Sequence, residues 1–300
     1  MKQVNVYQVD AFTQHKFRGN PAGVVTHADD LSTHEMQQLA RELNNSETVF
    51  LLAPTDSSHA VWLRFFTPTV EVPLCGHATI AAHYVRAHEL QLGSCQLRHK
   101  TGAGILPIEV IQANNDYQII MTQAAIEFGP IIDGQSKQAL LDALGLTIHD
   151  LHYACPIQIV STGHSKVLIG INQRTKLDQL RPNLAALTLL SKQIGCNGYF
   201  VYTLDSDDPA ILSYGRMFSP AIGINEDPVT GNANGPLGAY LVHHRLVAHN
   251  GIHLRFTACQ GVAIGRTGYI EVQVLIEADE PVLVKVGGHA VIVFQTSIQL

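Results

Sequence analysis

The chain has 300 residues, of which 46% are apolar and 15% are charged, and its formal net charge is −6. This composition excludes a disordered chain, and the scattered Lys and Arg residues disfavour nucleic acid as a partner. No apolar run reaches the length of a signal peptide or a membrane span, so we expect a cytoplasmic protein with no membrane partner.

In the first half, a Ser at position 32 followed by apolar residues at helical spacing predicts a surface helix over 32–44. A second helix is predicted over 77–90, where Ala residues occur on several faces. Because short side chains let strands close around a helix, we expect a sheet curled around this second helix. Runs of β-branched and aromatic residues predict strands at 4–9, 48–53, 61–66, 105–111 and 117–122.

The second half has a similar mixture of elements. Residues 128–152 have the pattern of a connection that contains a short helix over 136–144. A helix with small residues on several faces is predicted over 235–247, and we expect it to be enclosed like the helix at 77–90. Strands are predicted at 157–160, 167–171, 199–203, 211–218, 252–256, 270–276 and 291–294.

Four segments of the first half recur in the same order in the second half. The pairs are GNPAGVV at 19–25 with GHSKVLI at 163–169, SETVFL at 46–51 with CNGYFV at 196–201, RFFTP at 64–68 with RMFSP at 216–220, and CGHATIAA at 75–82 with TGNANGPLGA at 230–239. Chance similarity would not keep this order, so we predict two pseudo-symmetric domains, each a curled sheet around a central helix. The predicted domains are residues 1–127 and 128–300, with the last C-terminal strand free to pack onto the first domain.

Both predicted central helices follow a glycine-containing turn, at Gly76 and at Gly231. A helix start presents unpaired N–H groups and partial positive charge, and it binds a carboxylate or phosphate without a basic side chain. Either glycine alone could simply let the chain turn. Polar neighbours, among them His77 and Asp227, favour a binding site, and we expect the two helix starts to face each other across a cleft between the domains.

Cysteine and histidine patterns argue against a metal. The five cysteines are far apart and form no C-x-x-C pair, which is typical of reduced thiols in a cytosolic protein. The sixteen histidines include no H-E-x-x-H motif and no paired spacing of the zinc type. We therefore expect no metal.

Glu47 is the ionisable residue that points most directly to catalysis. It lies between Ser46 and a predicted apolar strand, where a carboxylate is either hydrated or partly withdrawn from water and suited to proton transfer. The corresponding position in the second half, near Asn197, is not ionisable. This broken symmetry suggests that one domain supplies the acid/base group.

Five blocks together resemble the signature of the PhzF (phenazine biosynthesis-like) isomerase family. They are DAF at 10–12, FRGNPAGVV at 17–25, SETVF at 46–50, CGHAT at 75–79 and EDPVTGNA at 226–233. The resemblance implies an α+β fold of the diaminopimelate epimerase type, with two similar domains, each a curled β-sheet around a central helix, and the active site between them. It also implies a homodimer.

The resemblance further implies a cofactor-independent isomerase that moves a proton between carbons of a small cyclic or amino-acid-like carboxylate. Glu47 matches the catalytic carboxylate, and His77 and Asp227 match groups that assist it and orient the substrate. The positions that match the substrate-binding part are Asn20, Gly76, Gly231, Asn232 and Ala233. Many members have Ser where this chain has Asn232, and the larger amide implies a substrate of different size or orientation.

Two alternatives remain open at this point. An amino-acid racemase or epimerase of the same fold would use one cysteine at each helix start, but Cys75 has Thr230 as its counterpart. A non-catalytic protein could instead hold a small carboxylate. Such a site gains nothing from carboxylates like Glu47 and Asp227 near the ligand, so we favour the isomerase.

Overall fold

The computed structural model describes residues 2–300, and the packing of the chain divides them into two compact units. The first unit contains residues 2–122 and Gly287–Leu300, and the second contains Gln123–Val286. The chain therefore returns to the first unit for its last residues. The domain division at residues 127 and 128 stays a prediction.

In the first unit, a sheet closes on itself. Its strands are β1 (Gln3–Ala11), β2 (Asn20–Thr26), β3 (Thr48–Leu52), β4 (Val61–Phe66), β5 (Glu71–Val72), β6 (Cys95–Thr101), β7 (Gly104–Ala113), β8 (Asp116–Thr122) and the second part of β17 (Glu280–Gln299). β1 pairs antiparallel with β2, β2 parallel with β3, β3 antiparallel with β4, β4 parallel with β6, and β6, β7 and β8 follow as antiparallel neighbours. β17 pairs with both β8 and β1, which completes the ring.

The ring of the first unit encloses a helix. Helix α1 (Thr33–Leu43) lies outside, whereas α2 (Gly76–Leu90) packs against β1, β2, β3 and β8. Ala78 and Ala87 lie on opposite faces of α2, and both are fully buried, as expected for a helix that strands surround. The predicted helix with small residues on several faces is therefore confirmed as an enclosed one.

The second unit has its own central helix. Its strands are β9 (Glu127–Ile131), β10 (Gln158–Ser161), β11 (Lys166–Ile171), β12 (Tyr199–Thr203), β13 (Ile211–Ser219), β14 (Ile224–Asp227), β15 (His253–Gln260), β16 (Gly268–Glu277) and the first part of β17. Its helices are α3 (Gly134–Leu144), α4 (Arg174–Gln179), α5 (Leu184–Ile194) and α6 (Gly231–His243), and α6 packs against β10, β11, β15 and β16. Within residues 2–300, no helix has both the length and the apolar character that crossing a membrane requires.

The two units repeat one order of strand pairs. In the second unit, β10 pairs antiparallel with β11, β11 parallel with β12, β12 antiparallel with β13, β13 parallel with β15, and β15 antiparallel with β16. This is the order from β1 to β7 in the first unit. In each unit a short strand, β5 or β14, pairs with β4 or β13 and precedes the central helix. The repeat that four sequence segments predicted is thus present in the strand order.

Several predicted elements differ from the structure. The second central helix begins at Gly231 and ends at His243, not at 235–247, because Thr230 is the N-cap and Pro236 is tolerated inside the helix. The predicted connection at 128–152 overlaps strand β9, which pairs with β10. Helices α4 and α5, and strands β2, β5, β6, β9 and β14, were not among the predicted elements, and β17 extends far beyond 291–294.

Candidate active site

The start of α2 lies beside the start of β3, and both segments are held by backbone contacts. The carbonyl oxygen of Glu47 accepts a hydrogen bond from the backbone N–H of Gly23 in β2, at 3.2 Å. The carbonyl oxygen of Cys75, the N-cap of α2, accepts from the backbone N–H of Thr79 at 3.0 Å and from its hydroxyl at 2.7 Å. The side chains of Glu47 and Cys75 therefore emerge from well-fixed positions.

Glu47 and His77, which are far apart in the sequence, meet at this helix start. Glu47 Oε2 lies 3.5 Å from His77 Nε2, and the two side chains are only 15% and 8% exposed. The hydroxyl of Ser46 lies 3.4 Å from the same ring nitrogen. The structure thus brings together the predicted catalytic carboxylate and its predicted assisting imidazole, whereas their roles stay predictions.

The other ring nitrogen of His77 faces a thiol. Cys75 Sγ lies 3.4 Å from His77 Nδ1, and both residues are buried. Imidazole therefore lies between a thiol and a carboxylate. The sequence analysis considered Cys75 as a reduced thiol and as half of a possible thiol pair, and the structure adds its contact with His77.

Glu47, Cys75 and His77 also offer atoms that could coordinate a metal, since one ligand atom from each lies within 4.8 Å of the others. Zinc accepts this combination of carboxylate, thiolate and imidazole ligands. However, the thiol faces Nδ1 and the carboxylate faces Nε2. One ion cannot bind both nitrogens of a ring, so the imidazole would have to turn before all three residues could coordinate it. The absence of a metal stays a prediction.

Two predicted substrate-binding residues belong to the first unit. Gly76 is the first residue of α2, and a Cβ added there would have Met121 Sδ as its nearest neighbour, at 3.8 Å. Backbone N–H groups at this helix start are not capped by the Cys75 side chain. Asn20 is buried at the start of β2, the neighbour of the strand that Glu47 precedes. The Cys75 side chain therefore does not compete with another acceptor for the first N–H groups of α2, as expected for an anion site.

In the second unit, Asp227 lies at the end of β14, just before α6. Its Oδ2 accepts a hydrogen bond from the hydroxyl of Thr230, the N-cap of α6. The amide of Gln260 donates to the Asp227 carbonyl at 2.7 Å, and its oxygen accepts from the Thr230 N–H at 3.1 Å and from the Asn234 amide at 2.9 Å. The turn that carries Asp227 is therefore fixed from both sides.

A second glutamine holds the first turn of α6. Gln123 donates to the Gly231 carbonyl at 3.0 Å and to the Asn232 side-chain oxygen at 3.4 Å. Its own oxygen accepts from the Thr162 hydroxyl at 2.8 Å. Ala233 is fully buried in the same turn, so its backbone is the part that could reach a ligand. Gln123 and Gln260 lie outside the sequence blocks and were not predicted, since their neighbours at α6 are more than twenty residues away in the chain.

Lys166 was not among the predicted site residues, although the sequence repeat could have identified it. It begins β11, and its stem crosses Gly198, where a Cβ would lie 2.4 Å from Lys166 Cδ. Burial lowers the pKa of the Lys166 ammonium, and attraction to Cys196 and Asp227 partly opposes this shift. In the repeat, Lys166 corresponds to Ala22, so a charged residue replaces a small apolar one. Lys166 therefore adds positive charge to the surroundings of Asp227.

Comparison with known proteins identifies related chains of the same length. A family model described as "Phenazine biosynthesis-like protein" (PhzC-PhzF) matches residues 9–296. The chain is 58% identical to the uncharacterized isomerase CA_C3446 of Clostridium acetobutylicum, with 100% of this chain and 99% of the relative covered. It is 52% identical to the uncharacterized isomerase YddE of Escherichia coli, with 96% of each covered. It is 33% identical to the trans-2,3-dihydro-3-hydroxyanthranilate isomerase of Pseudomonas chlororaphis, with 94% and 95% covered.

Solved structures share the whole fold. The structure matches a PhzF-family phenazine biosynthesis protein of Bacillus anthracis with a TM-score of 0.90, at 32% identity, and each chain is covered completely. A hydroxyproline epimerase of Agrobacterium vitis matches with a TM-score of 0.64 over 99% of this chain and 91% of that one. At 11% identity this second likeness concerns the fold alone. The predicted α+β fold of the diaminopimelate epimerase type is confirmed.

Proposed function

Because this chain belongs to the phenazine biosynthesis-like (PhzC-PhzF) family and is an isomerase, we propose that it moves a proton between two carbons of a small carboxylate, with Glu47 as acid and base. The observation that carries this proposal is the contact between Glu47 and His77 at the start of α2. A carboxylate that is mostly withdrawn from water and held by an imidazole is a suitable acceptor for a carbon-bound proton.

The proposed reaction begins when Glu47 removes a proton from one substrate carbon. A new O–H bond forms at the carboxylate, and the electron pair of the broken C–H bond stays on the substrate as a carbanion or dienolate. Protonated Glu47 then returns the proton to a different carbon. Backbone N–H groups at a helix start, such as those of Gly76 and Gly231, can stabilise the negative charge that develops between the two steps.

Asp227 and Asn232 have an orienting role in this proposal. The hydroxyl of Thr230 fixes the direction of the Asp227 carboxylate, and Gln123 contacts the Asn232 side chain. Fixed polar groups of this kind select one substrate orientation, because a group that is already held loses little entropy when the substrate binds. The amide of Asn232 would limit the space for the substrate more than a serine would.

A racemase that uses two thiols is the weaker candidate. Cys75 is present at the start of α2, but Thr230 occupies the equivalent position at α6, and its hydroxyl is engaged with Asp227. A threonine hydroxyl is a far poorer base than a thiolate. A two-thiol mechanism would therefore lack its second base.

Hydrogen exchange in deuterated water tests the proposal. The enzyme is incubated with a panel of small cyclic and amino-acid-like carboxylates, and label uptake at carbon is read by mass spectrometry. A relative that acts, by its name, on trans-2,3-dihydro-3-hydroxyanthranilate supports including cyclic amino acids in the panel. We expect the wild type to label at least one acid and Glu47→Gln to label none. Equal labelling by both proteins would exclude Glu47 as the base.

We also propose that the enzyme works without a cofactor, as a homodimer in the cytoplasm. All five cysteines are free thiols, as expected in a reducing compartment. Retention of activity after dialysis against a chelator tests the first point, and light scattering of the purified enzyme tests the second. Loss of activity that zinc or another additive restores would contradict the proposal of catalysis without a cofactor.

A further inference from the structure

The imidazole of His77 has chemically different partners at its two nitrogens. Cys75 Sγ lies 3.4 Å from Nδ1. Glu47 Oε2 lies 3.5 Å from Nε2, and the Ser46 hydroxyl lies 3.4 Å from the same Nε2. Neutral imidazole carries one N–H, so one nitrogen must donate and the other must accept.

The hydrogen-bonding capacities of the partners select one of the two tautomers. A carboxylate can only accept, and a serine hydroxyl can accept as well, whereas a thiol S–H can donate. All three contacts are favourable together only when Nε2 carries the proton, so that its N–H faces the Glu47 carboxylate and the Ser46 oxygen, and Nδ1 accepts from Cys75. We propose that Cys75 is a positioning residue that fixes His77 in this tautomer, an inference that rests on the proposed role of Glu47.

The fixed tautomer assigns separate tasks to the two oxygens of Glu47. The N–H at Nε2 faces Oε2 at 3.5 Å while Glu47 is ionised, and a carbonyl-type Oε2 can still accept from it once the carboxyl is protonated. Oε1 is then the oxygen that takes and returns the substrate proton. His77 keeps one orientation through both steps, and Cys75 neither gains nor loses a proton.

The second unit uses its corresponding residue in the same manner. Cys75 and Thr230 are the N-caps of α2 and α6, yet neither side chain caps the helix amides. Thr230 turns its hydroxyl to Asp227, as Cys75 turns its thiol to His77. In each unit the N-cap side chain thus contacts a predicted site residue instead of the helix amides. This parallel supports a positioning role for Cys75.

Nitrogen NMR of ¹⁵N-histidine-labelled protein tests the tautomer directly, without a substrate. Near neutral pH, the wild type should show a protonated-type signal for His77 Nε2 and an acceptor-type signal for Nδ1, with the signals assigned from their loss in His77→Asn. Cys75→Ala should shift both signals towards an average of the two tautomers. Cys75→Ser, whose hydroxyl can still donate to Nδ1, should keep the wild-type pattern.

Exchange kinetics with an acid that the wild type labels provide the second measurement. Loss of one hydrogen bond is expected to lower the labelling rate of Cys75→Ala about threefold to tenfold, whereas Cys75→Ser should stay within about twofold of the wild type. Because Cys75 acts through His77, Cys75→Ala should cause no further decrease in a His77→Asn background. A purely structural role would reduce the rate in both backgrounds.

Two results would overturn the proposal. One is a wild-type spectrum in which both His77 nitrogens are protonated, which would indicate a thiolate–imidazolium pair. The other is a Cys75→Ala protein with unchanged signals and an unchanged labelling rate. If instead no acid is labelled by the wild type, the proposed isomerase reaction fails, while the NMR result still decides the tautomer. The wild-type spectrum remains decisive even if Cys75→Ala does not fold.

Discussion

The starts of the two central helices differ in chemistry although the strands around them follow one order. At α2, an imidazole connects the Cys75 thiol with the Glu47 carboxylate. At α6, the Asp227 carboxylate accepts a hydrogen bond from the Thr230 hydroxyl, and glutamine amides fix the surrounding backbone. A duplicated scaffold can therefore carry different side chains at two equivalent helix starts, and in the proposed mechanism only the first copy supplies the acid/base group.

The largest expected difference between the two starts is in catalysis. Glu47→Gln should lower the rate of hydrogen exchange about 10³-fold, as expected for loss of a general base. This decrease corresponds to about 4 kcal/mol of activation free energy. Asp227→Asn removes an orienting charge, and we expect a loss of about 10-fold to 100-fold, since a hydrogen bond to a charged group contributes about 1.5–3 kcal/mol. Labelling rates of both variants with one acid provide the measurement. A larger loss in Asp227→Asn would place the acid/base group in the second unit.

The same two helix starts show what the sequence could predict. Small apolar residues on several faces were sufficient to predict enclosed helices, because a helix that is apolar on all sides is buried. The start of α2 could be assigned from the block CGHAT, and the family resemblance linked it to Glu47. Helix α5 was predictable as well: Asn183 caps it, and Leu187 and Leu190 follow at helical spacing.

Other parts of the site have no local signal. Gln260 contacts Thr230 and Asn234 only because β15 lies next to α6, and a glutamine in a strand pattern does not indicate its partner. The tautomer of His77 likewise depends on which groups face its two ring nitrogens, and the sequence does not show this. Side-chain contacts between distant segments are set by tertiary packing, so the sequence indicated the residue types of the site and not their hydrogen bonds.

Acid should weaken the first unit through a buried histidine pair that the second unit lacks. His83 Nε2 in α2 lies 3.2 Å from His99 Nδ1 in β6, and both residues are almost completely buried. Burial lowers the pKa of His99 to about 4. Burial, together with the positive charges of His99 and Arg86, lowers the pKa of His83 well below its ordinary value. Counted from the helix start, the position in α6 that corresponds to His83 is Gly238, which packs against valines.

The direction of the pH effect follows from these shifts. Between about pH 6.5 and pH 4 the unfolded chain binds protons at these histidines and the folded chain does not, so acid favours unfolding. Above pH 6.5 the histidine pair causes no loss of unfolding free energy. The lowered pKa of His99 alone corresponds to a loss of about 3 kcal/mol in the free energy of unfolding by pH 4. Trp62, the one tryptophan of the chain, lies in β4 of the first unit and reports its unfolding by fluorescence. His99→Phe should flatten the pH dependence of the denaturant midpoint; an unchanged slope would contradict this prediction.

One glycine near the start of each central helix, Gly235 in α6 and Gly76 in α2, provides a smaller contrast. A Cβ at Gly235 would lie 1.7 Å from Gln123 Oε1, so Gly235→Ala must displace the amide that contacts Thr162 and Gly231. We expect a loss of about 2 kcal/mol in unfolding free energy, because buried polar groups lose their partners. Gly76→Ala is the matched control, since its Cβ would have Met121 Sδ as nearest neighbour at 3.8 Å. Its unfolding free energy should change by about 0.5 kcal/mol or less. Equal losses in both variants would show that the α6 start is not held by Gln123.

The smallest expected difference concerns the outer helices α1 and α3, one from each unit. Ser32 caps α1 in a capping box: its hydroxyl accepts from the Glu35 N–H at 3.3 Å, and Glu35 Oε2 accepts from the Ser32 N–H at 2.7 Å. Asp133, the N-cap of α3, makes no such side-chain bond. Ser32→Ala should therefore cost about 1 kcal/mol in unfolding free energy, and Asp133→Ala about half of that or less, by denaturant titration. A larger loss of unfolding free energy in Asp133→Ala than in Ser32→Ala would contradict this prediction. It would show that α3 depends on its N-cap in solution as much as α1 does.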